Sequence, residues 1–322
     1  MSNRTLREWR TARVVDSVPV TPTVRRVDLA VPAVTAPAPG SHLDVVIPLP
    51  EGEVIRSYSV VDDGRRPETV SVGVRLDPHS RGGSAFMHRL QAGDELIVSQ
   101  PVQTFELTWG RPGYVLLAGG IGITPLVGMA QRLRHWGANY QLIYSARSRE
   151  EMAFAHELQQ DHPGRVRLTS DDIDGRLDLD GLVAGLPVDH ELYVCGPMPM
   201  LHAARQAWAA TGRPPGRLRF ETFGSSGTAP AAPFVVRVPD AGVEAHVPAD
   251  RTALDVLAEA GIEVMSDCLR GECGLCLVDV LDTEGPLDHR DVFLSDRQRA
   301  TNTQMCLCVS RSAGGVVTLH VP

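Results

Sequence analysis

Cys268-Leu-Arg-Gly-Glu-Cys273-Gly-Leu-Cys276 decides the organisation of this 322-residue chain. Its three cysteines are spaced C-x4-C-x2-C, and two more, Cys306 and Cys308, follow in the run Met-Cys-Leu-Cys-Val-Ser-Arg. That spacing is the plant-type [2Fe–2S] signature, in which each iron takes two thiolates besides its bridging sulfides, so four cysteines are needed. Three ligands this close in sequence converge from an irregular loop, because a strand or helix aims successive side chains apart. Gly271 and Gly274 stand where such a loop has to bend and let its backbone approach the sulfides. A zinc site calls instead for C-x2-C pairs. Disulfides suit an oxidising compartment, whereas the N-terminus MSNRTLREWR lacks the apolar core of a secretory signal. A one-electron centre implies that other parts of the chain supply electrons. The spacing leaves either Cys306 or Cys308 as the fourth ligand.

The chain divides into three segments around this loop. Residues 234–238 read as a strand, 253–260 as a helix before the cysteines, and 316–321 as a last strand. Residues 224–233 (GSSGTAPAAP) have linker composition. Upstream, 111–224 alternates apolar strands at 114–118, 141–145, 166–169 and 191–195 with helices at 125–136, 150–159 and 198–210. This is the pattern of a doubly wound α/β domain with a parallel sheet. Residues 1–110 carry short alternating runs at 13–18, 24–30, 43–47, 70–74 and 95–98, separated by Pro- and Gly-rich turns, with one helix near 84–90. Such spacing predicts a small antiparallel barrel. The expected organisation is a barrel over 1–110, a nucleotide-binding domain over 111–224, a linker over 225–233 and a cluster domain over 234–322.

Composition bounds the partners. The chain is 43% hydrophobic and 22% charged, ordinary for a globular protein. No apolar run approaches the roughly 20 residues that span a bilayer, so no membrane partner is expected. Of the net charge of −8, the segment 234–322 carries −7, from 14 acidic residues and 7 arginines. That balance argues against a nucleic-acid partner. The acidic segment either docks on a basic patch of a redox partner or keeps a small domain dissolved. Lysine is absent altogether, which reads as a coding bias. Cysteine use fits a reducing cytoplasm, and the chain is expected to be a monomer.

Four motifs precede the cysteines. Arg56-Ser57-Tyr58-Ser59 closes what reads as the third barrel strand. An arginine there can pair with a phosphate, a tyrosine ring can lie along a flat heterocycle, and a serine or a peptide N–H can meet a ring nitrogen. Arg81-Gly82-Gly83-Ser84 comes next, directly before a helix, with Ser84 as the expected cap and free N–H groups for a phosphate. The third is Gly119-Gly120-Ile-Gly122-Ile-Thr124-Pro125, between a buried strand and a helix, where a dinucleotide loop belongs. Pro125 replaces the last glycine of the usual fingerprint, and Thr124 is the expected cap before it. The fourth, Cys195-Gly196-Pro197-Met198, follows the last apolar strand, at the strand ends where ligands of open α/β sheets bind. Singly, each motif is also an ordinary strand, cap or turn.

In this order, followed by the cysteine loop, they resemble the ferredoxin–NADP reductase superfamily. Within it the chain is similar to the phthalate dioxygenase reductase and vanillate demethylase reductase family, along essentially its whole length. The resemblance implies a flavin-binding antiparallel β-barrel, a doubly wound α/β NAD domain and an α+β plant-type ferredoxin domain of β-grasp type. It implies FMN held by Arg56, Ser57, Tyr58, Ser59, Gly82, Gly83 and Ser84. It implies NADH, with NADPH left open by Arg147 and Arg149, held by Gly119, Gly120, Gly122, Thr124, Pro125, Cys195, Gly196, Pro197 and Met198. Thr124, Cys195 and Phe223 form the expected catalytic set, Phe223 covering the flavin at the end of Phe220-Glu221-Thr222-Phe223. The family's last cluster ligand lies at a fixed distance beyond a His-Arg-Asp segment. From His289-Arg290-Asp291 that distance reaches Cys308, two extra residues falling in the turn Thr283-Glu284-Gly285-Pro286. Plant-type ferredoxins likewise follow their last Cys-Val with a turn and a strand, here Gly314-Gly315 and 316–321. The implied ligand set is therefore Cys268, Cys273, Cys276 and Cys308, with Cys306 a buried neighbour.

Electron counting orders these sites. A reduced nicotinamide delivers two electrons as a hydride, the cluster accepts one, and a flavin between them accepts a pair and passes it on singly. The implied activity is an oxidoreductase that feeds a partner oxygenase, of Rieske type or a cytochrome P450. A flavin and iron–sulfur carrier or sensor without turnover is a different reading, disfavoured by the full nucleotide loop. No histidine-rich oxygen-activating site suggests a hydroxylase.

Overall fold

The computed structural model describes residues 8–34, 37–50, 52–62, 69–78, 82–223 and 231–321. They form two compact units, one over Glu8–Glu221 and one beginning at Thr222.

The first unit opens with strands β1 (Trp9–Pro19), β2 (Val24–Ala30), β3 (Ser41–Leu49), β4 (Gly52–Ser59) and β5 (Val70–Arg75). Helix α1 (Gly83–Arg89), β6 (Glu95–Ser99) and the short β7 (Val102–Gln103) follow. The sheet order is β4-β3-β6-β1-β2-β5, every pairing antiparallel, with β7 on β3. A bridge from Val60 to Val72 brings the two ends together and curls the sheet into a barrel. Strand alternation aims Ala12, Val14, Val27, Leu29, Leu43, Val45, Val72 and Val98 into its core, and α1 adds Met87. The barrel has two strands beyond the five its pattern suggests, β4 and the short β7. β4 pairs with β3 from Gly52 opposite Leu49, so Arg56–Ser59 closes the fourth strand, not the third. The half-buried, polar-rich GEVIRSYS masks that strand from a reading by apolar alternation.

The unit continues with β8 (Tyr114–Gly119), α2 (Ile123–His135), β9 (Tyr140–Ala146), α3 (Ala155–Asp161), β10 (Val166–Ser170), α4 (Asp171–Asp174), α5 (Leu179–Gly185), β11 (Glu191–Cys195), α6 (Met198–Ala210) and β12 (Leu218–Glu221). The sheet is parallel throughout, in the order β10-β9-β8-β11-β12. Every residue of β8 and β11 is buried, as a central parallel strand requires. Glu191, sealed at the start of β11, accepts from the Thr108 hydroxyl, from Tyr193 Oη at 2.9 Å and from Arg111 Nε at 3.0 Å, which ties the exit of the barrel to this sheet. The helix expected at 150–159 is broken: a 3₁₀ turn covers Arg149–Glu151, and Phe154 takes φ 62° before α3 begins. A left-handed non-glycine residue costs about 1–2 kcal/mol. Burying a phenylalanine side chain contributes about 1.5–3 kcal/mol. With Met152 and Ala153 also in the core, burial outweighs an unbroken helix.

The second unit contains β13 (Phe234–Val238), β14 (Val243–Val247), α7 (Ala253–Glu259), β15 (Leu277–Thr283), β16 (Leu287–Asp288), α8 (Asp296–Thr301), β17 (Gln304–Cys306), β18 (Arg311–Ser312) and β19 (Val316–His320). Its main sheet runs β14-β13-β19-β15-β17, with β13 and β19 parallel at the centre, and β16 pairs β18 beside it. Leu254 and Leu257 of α7 pack on Val236, Val278, Val317 and Leu319 of the sheet, the β-grasp arrangement. Residues 225–230 of the expected linker lie outside the described residues, as does Arg81.

Candidate functional site

The cysteine loop runs between α7 and β15 without regular structure. Leu269, Gly271 and Gly274 have φ of 53°, 74° and 75°, which turns successive peptide N–H groups inward. Those of Arg270, Glu272 and Cys273 meet Cys268 Sγ at 3.4, 3.3 and 3.4 Å. Gly271 is needed for space as well, and Gly274 lies against the Phe293 ring. A Cβ on Gly271 would stand 2.7 Å from Asp291 Cα, and one on Gly274 2.4 Å from the Phe293 ring. The Gly271 carbonyl accepts from the N–H groups of Val292 and Phe293 at 2.9 and 3.1 Å. The His-Arg-Asp segment thus backs the loop. Asp291 accepts from Leu294 N–H at 2.8 Å and Ser310 Oγ at 3.1 Å. Burial pushes its carboxyl up, but the hydrogen bonds of His289, Leu294 and Ser310 and the charge of Arg299 outweigh that and hold it below the usual aspartate range.

The sulfurs gather behind this loop. Cys276 Sγ lies 3.1 Å from Cys308 Sγ, and both cysteines are buried. Side-chain contacts with Cys306 and Cys308 hold the Cys276 thiol below its ordinary range, while contact with Cys276 and burial raise those two partners. Cys306 ends β17 opposite Leu277, and Cys308 sits on the turn that follows. Cys268 is half-buried, and burial raises its thiol despite the three peptide donors. Cys273 is exposed, and all six cysteines of the chain are unbridged. Among the described residues no group of three or more His, Cys, Asp or Glu is arranged to hold a single metal ion. A sulfur-only donor set with peptide N–H groups aimed at sulfur fits an iron–sulfur cluster.

On β4, alternation puts Arg56 and Tyr58 on one face and Ser57 and Ser59 on the other. Burial raises the Tyr58 phenol against the opposing pull of Arg56, which keeps it protonated. A Cβ on Gly83 would sit 3.4 Å from Arg56 Cγ, so the second motif lies against the first. Gly82, at φ 99°, is itself the residue before α1. Ser84 does not cap that helix; its Oγ accepts from the Asp77 N–H at 3.1 Å, because the left-handed glycine already starts the turn. A guanidinium beside two residues without side chains fits a phosphate-bearing ligand. Ser57 donates to the buried Asp44 at 2.5 Å, so its hydroxyl serves the barrel. Ser59 donates to Glu221 Oε2 at 3.2 Å. Glu221 is buried at the end of β12, next to Cys195 in register. Glu221 stands in the segment 220–223 with no role apparent from sequence; it is the one buried residue of β12.

The strand order reverses between β8 and β11, and the two glycine motifs meet there. A Cβ on Gly119 would be 3.1 Å from Gly196 Cα, and one on Gly122 2.1 Å from the Cys195 carbonyl oxygen. Gly120, at φ 53°, faces open space. Thr124 is not a cap either. The helix starts at Ile123 behind a 3₁₀ turn over Gly120–Gly122, and the Thr124 hydroxyl donates back to the Ile121 carbonyl at 3.0 Å. That locks the loop from behind, with Thr124 itself buried and Pro125 in the first turn. Cys195 is sealed in the core, Gly196 and Met198 are half-buried, and Pro197 is exposed ahead of α6. This cleft fits the backbone approach of a dinucleotide. Arg147 is exposed past the end of β9, whereas Arg149 is engaged by Asp174 and the Leu168 carbonyl, both at 3.0 Å. Phe223, in the second unit, is 41% exposed. A cavity of about 520 Å³ lined by Arg134, Tyr140, His162 and Arg165 opens at the opposite, N-terminal end of β9. No helix among the described residues is long and apolar enough to cross a membrane.

Comparison with known proteins identifies relatives of this chain. Residues 236–313 match the 2Fe-2S iron-sulfur cluster binding domain family and residues 116–206 the oxidoreductase NAD-binding domain family. Phenoxybenzoate dioxygenase subunit beta of Ectopseudomonas oleovorans is 41% identical over 301 residues, 91% of this chain and 92% of that protein. The structure of phthalate dioxygenase reductase, a modular protein for electron transfer from pyridine nucleotides to [2Fe–2S], superposes over 100% of both chains with a TM-score of 0.79 and 29% identity. An intact type IV self-sufficient cytochrome P450 monooxygenase is 36% identical, with a TM-score of 0.68 over 97% of this chain and 41% of that one. The nucleotide cleft at the strand reversal, the sulfur-lined loop and a 41% identical relative of matching length together make this chain a member of the phthalate dioxygenase reductase family of oxygenase reductases.

Proposed function

We propose that the protein takes electrons from NADH through FMN to a [2Fe–2S] cluster held by Cys268, Cys273, Cys276 and Cys308, and passes them singly to a partner oxygenase. The observation that carries the reading is the coexistence, on one chain, of the paired glycine loops at the strand reversal and the sulfur-lined loop. The assigned domains are 1–110 for FMN, 111–224 for NAD and 234–322 for the cluster, joined by 225–233. A bound flavin would supply the conversion of a hydride's electron pair into single electrons for the cluster.

The chain's own residues do the positioning. Arg56, Gly82, Gly83 and Ser84 would take the FMN phosphate, and Tyr58, Ser59 and the peptide N–H of Ser57 its ring. Gly119, Gly120, Gly122 and Pro125 with Gly196, Pro197 and Met198 would bind the nucleotide by close backbone approach. Thr124 keeps the loop closed through Ile121, and Cys195 and Glu221 back the place where the rings meet. Ser59 and Glu221 hold a proton between them at Oγ. Phe223 would cover the flavin until the nicotinamide arrives. The protein is inferred to be a cytoplasmic monomer.

The acceptor is expected to be a Rieske-type oxygenase. A cytochrome P450 is the second reading, favoured by the 36% identity to the self-sufficient P450 monooxygenase. Anaerobic mixing with NADH in a stopped-flow spectrometer tests the scheme: flavin absorbance should bleach before or together with cluster absorbance. An unchanged cluster band refutes it, and turnover with each purified oxygenase type separates the two acceptors.

A further inference from the structure

The cluster loop carries one carboxylate, Glu272, between Cys268 and Cys273. Its peptide N–H donates to Cys268 Sγ at 3.3 Å. Its side chain is turned the other way and bound tightly: Oε1 accepts both the N–H and the hydroxyl of Thr222, each at 2.6 Å. Thr222 is 1% exposed, and the Glu272 side chain 15%. Arg270 Nε lies 3.9 Å from Oε2. Taking a carboxylate this far from water is unfavourable unless its oxygens are satisfied, so the two Thr222 donors fix where Glu272 can sit. A residue clamped at its side chain has little freedom to swing its own peptide plane. The N–H on Cys268 is therefore held by a contact 50 residues away in sequence.

We propose that Glu272 is a positioning residue for the cluster: anchored on Thr222, it keeps its peptide N–H on the Cys268 sulfur and thereby raises the potential at which the cluster accepts an electron. A hydrogen bond to a ligand sulfur stabilises the more negative, reduced centre, which is one of the levers a protein has on such potentials. The charge of Glu272 acts in the opposite sense, so the anchor has to be tested at constant charge. The inference rests on Cys268 being a cluster ligand, as proposed above.

Potentiometric titration of the full-length holoprotein, followed by the electron paramagnetic resonance signal of the reduced cluster, tests it with E272Q, E272A and T222V. Both Glu272 variants lose the same charge, but the Gln carbonyl still accepts the two Thr222 donors. The midpoint of E272A should fall below that of E272Q; a tenfold change in the one-electron equilibrium reads as 59 mV. T222V, which deletes one donor without touching charge, should fall below wild type. If E272A loses its cluster on purification, T222V against wild type decides. Equal midpoints within that deciding pair overturn the proposal. A wild-type protein that binds no iron overturns the cluster assignment instead.

Discussion

Replacing Gly122 by alanine should damage the nucleotide cleft without touching the cluster. The added Cβ would stand 2.1 Å from the Cys195 carbonyl oxygen, 2.4 Å from its carbon and 2.7 Å from Gly196 N. All three are backbone atoms of the neighbouring parallel strand, so no rotamer change relieves the clash. Overpacking a tight site costs about 1–3 kcal/mol, and contact with backbone alone argues for the upper end. In units of 150–250 residues each kcal/mol lowers the melting temperature by about 2–4 °C, so a loss of roughly 6–12 °C is expected. Gly120 is the control. It lies two residues away at φ 53° with open space beyond, so Gly120→Ala should cost only the roughly 1–2 kcal/mol of a left-handed alanine, while its methyl enters the cleft itself. Scanning calorimetry should therefore rank Gly122→Ala well below Gly120→Ala in stability. Steady-state assays should show a raised KM for NADH in both, with the cluster absorbance of both unchanged. A Gly122→Ala melting temperature within about 2 °C of wild type would refute the reasoning that the two strand-end loops are pressed together.

Other substitutions separate the remaining assignments. Cys308→Ser should abolish the cluster's visible absorption after anaerobic reconstitution, whereas Cys306→Ser, altering a residue sealed in the core, should retain it; the reverse outcome exchanges their roles. Arg147→Ala should lower kcat/KM for NADPH by roughly tenfold or more, the worth of one charge-assisted hydrogen bond, and leave NADH turnover nearly unchanged. Equal losses for both cofactors would remove Arg147 from the 2′-phosphate site. Asp291 has a folded pKa below its unfolded value of about 3.9. Its contribution to stability is thus present above that value and lost as pH falls through the lower folded one. Denaturation profiles of wild type and Asp291→Asn should converge as the pH drops below about 4; curves that stay parallel would show that the carboxylate does not lock the loop.

Much of the site was legible because its signals are local. The C-x4-C-x2-C spacing, the glycines inside it and the glycine runs after apolar strands all act within a few residues, and the barrel and parallel sheet follow from period-2 and strand–helix patterning. Local propensity misled where burial competed with it. Thr124 and Ser84 look like helix caps, but each helix starts from a glycine, and each hydroxyl bonds elsewhere in its loop. The 150–159 helix breaks because the Phe154 ring enters the core. The hairpin partner β4 was hidden by its polar face.

The order of residues along the chain is enough to specify three kinds of sheet, the three-cysteine loop and the glycine loops after apolar strands, since each depends on neighbours in sequence. Folding alone decides which distant groups meet. Ser59 reaches Glu221 across 162 positions and Glu272 reaches Thr222 across 50. Buried carboxylates find their donors through whatever strand packing brings near, and no spacing rule in one dimension encodes that.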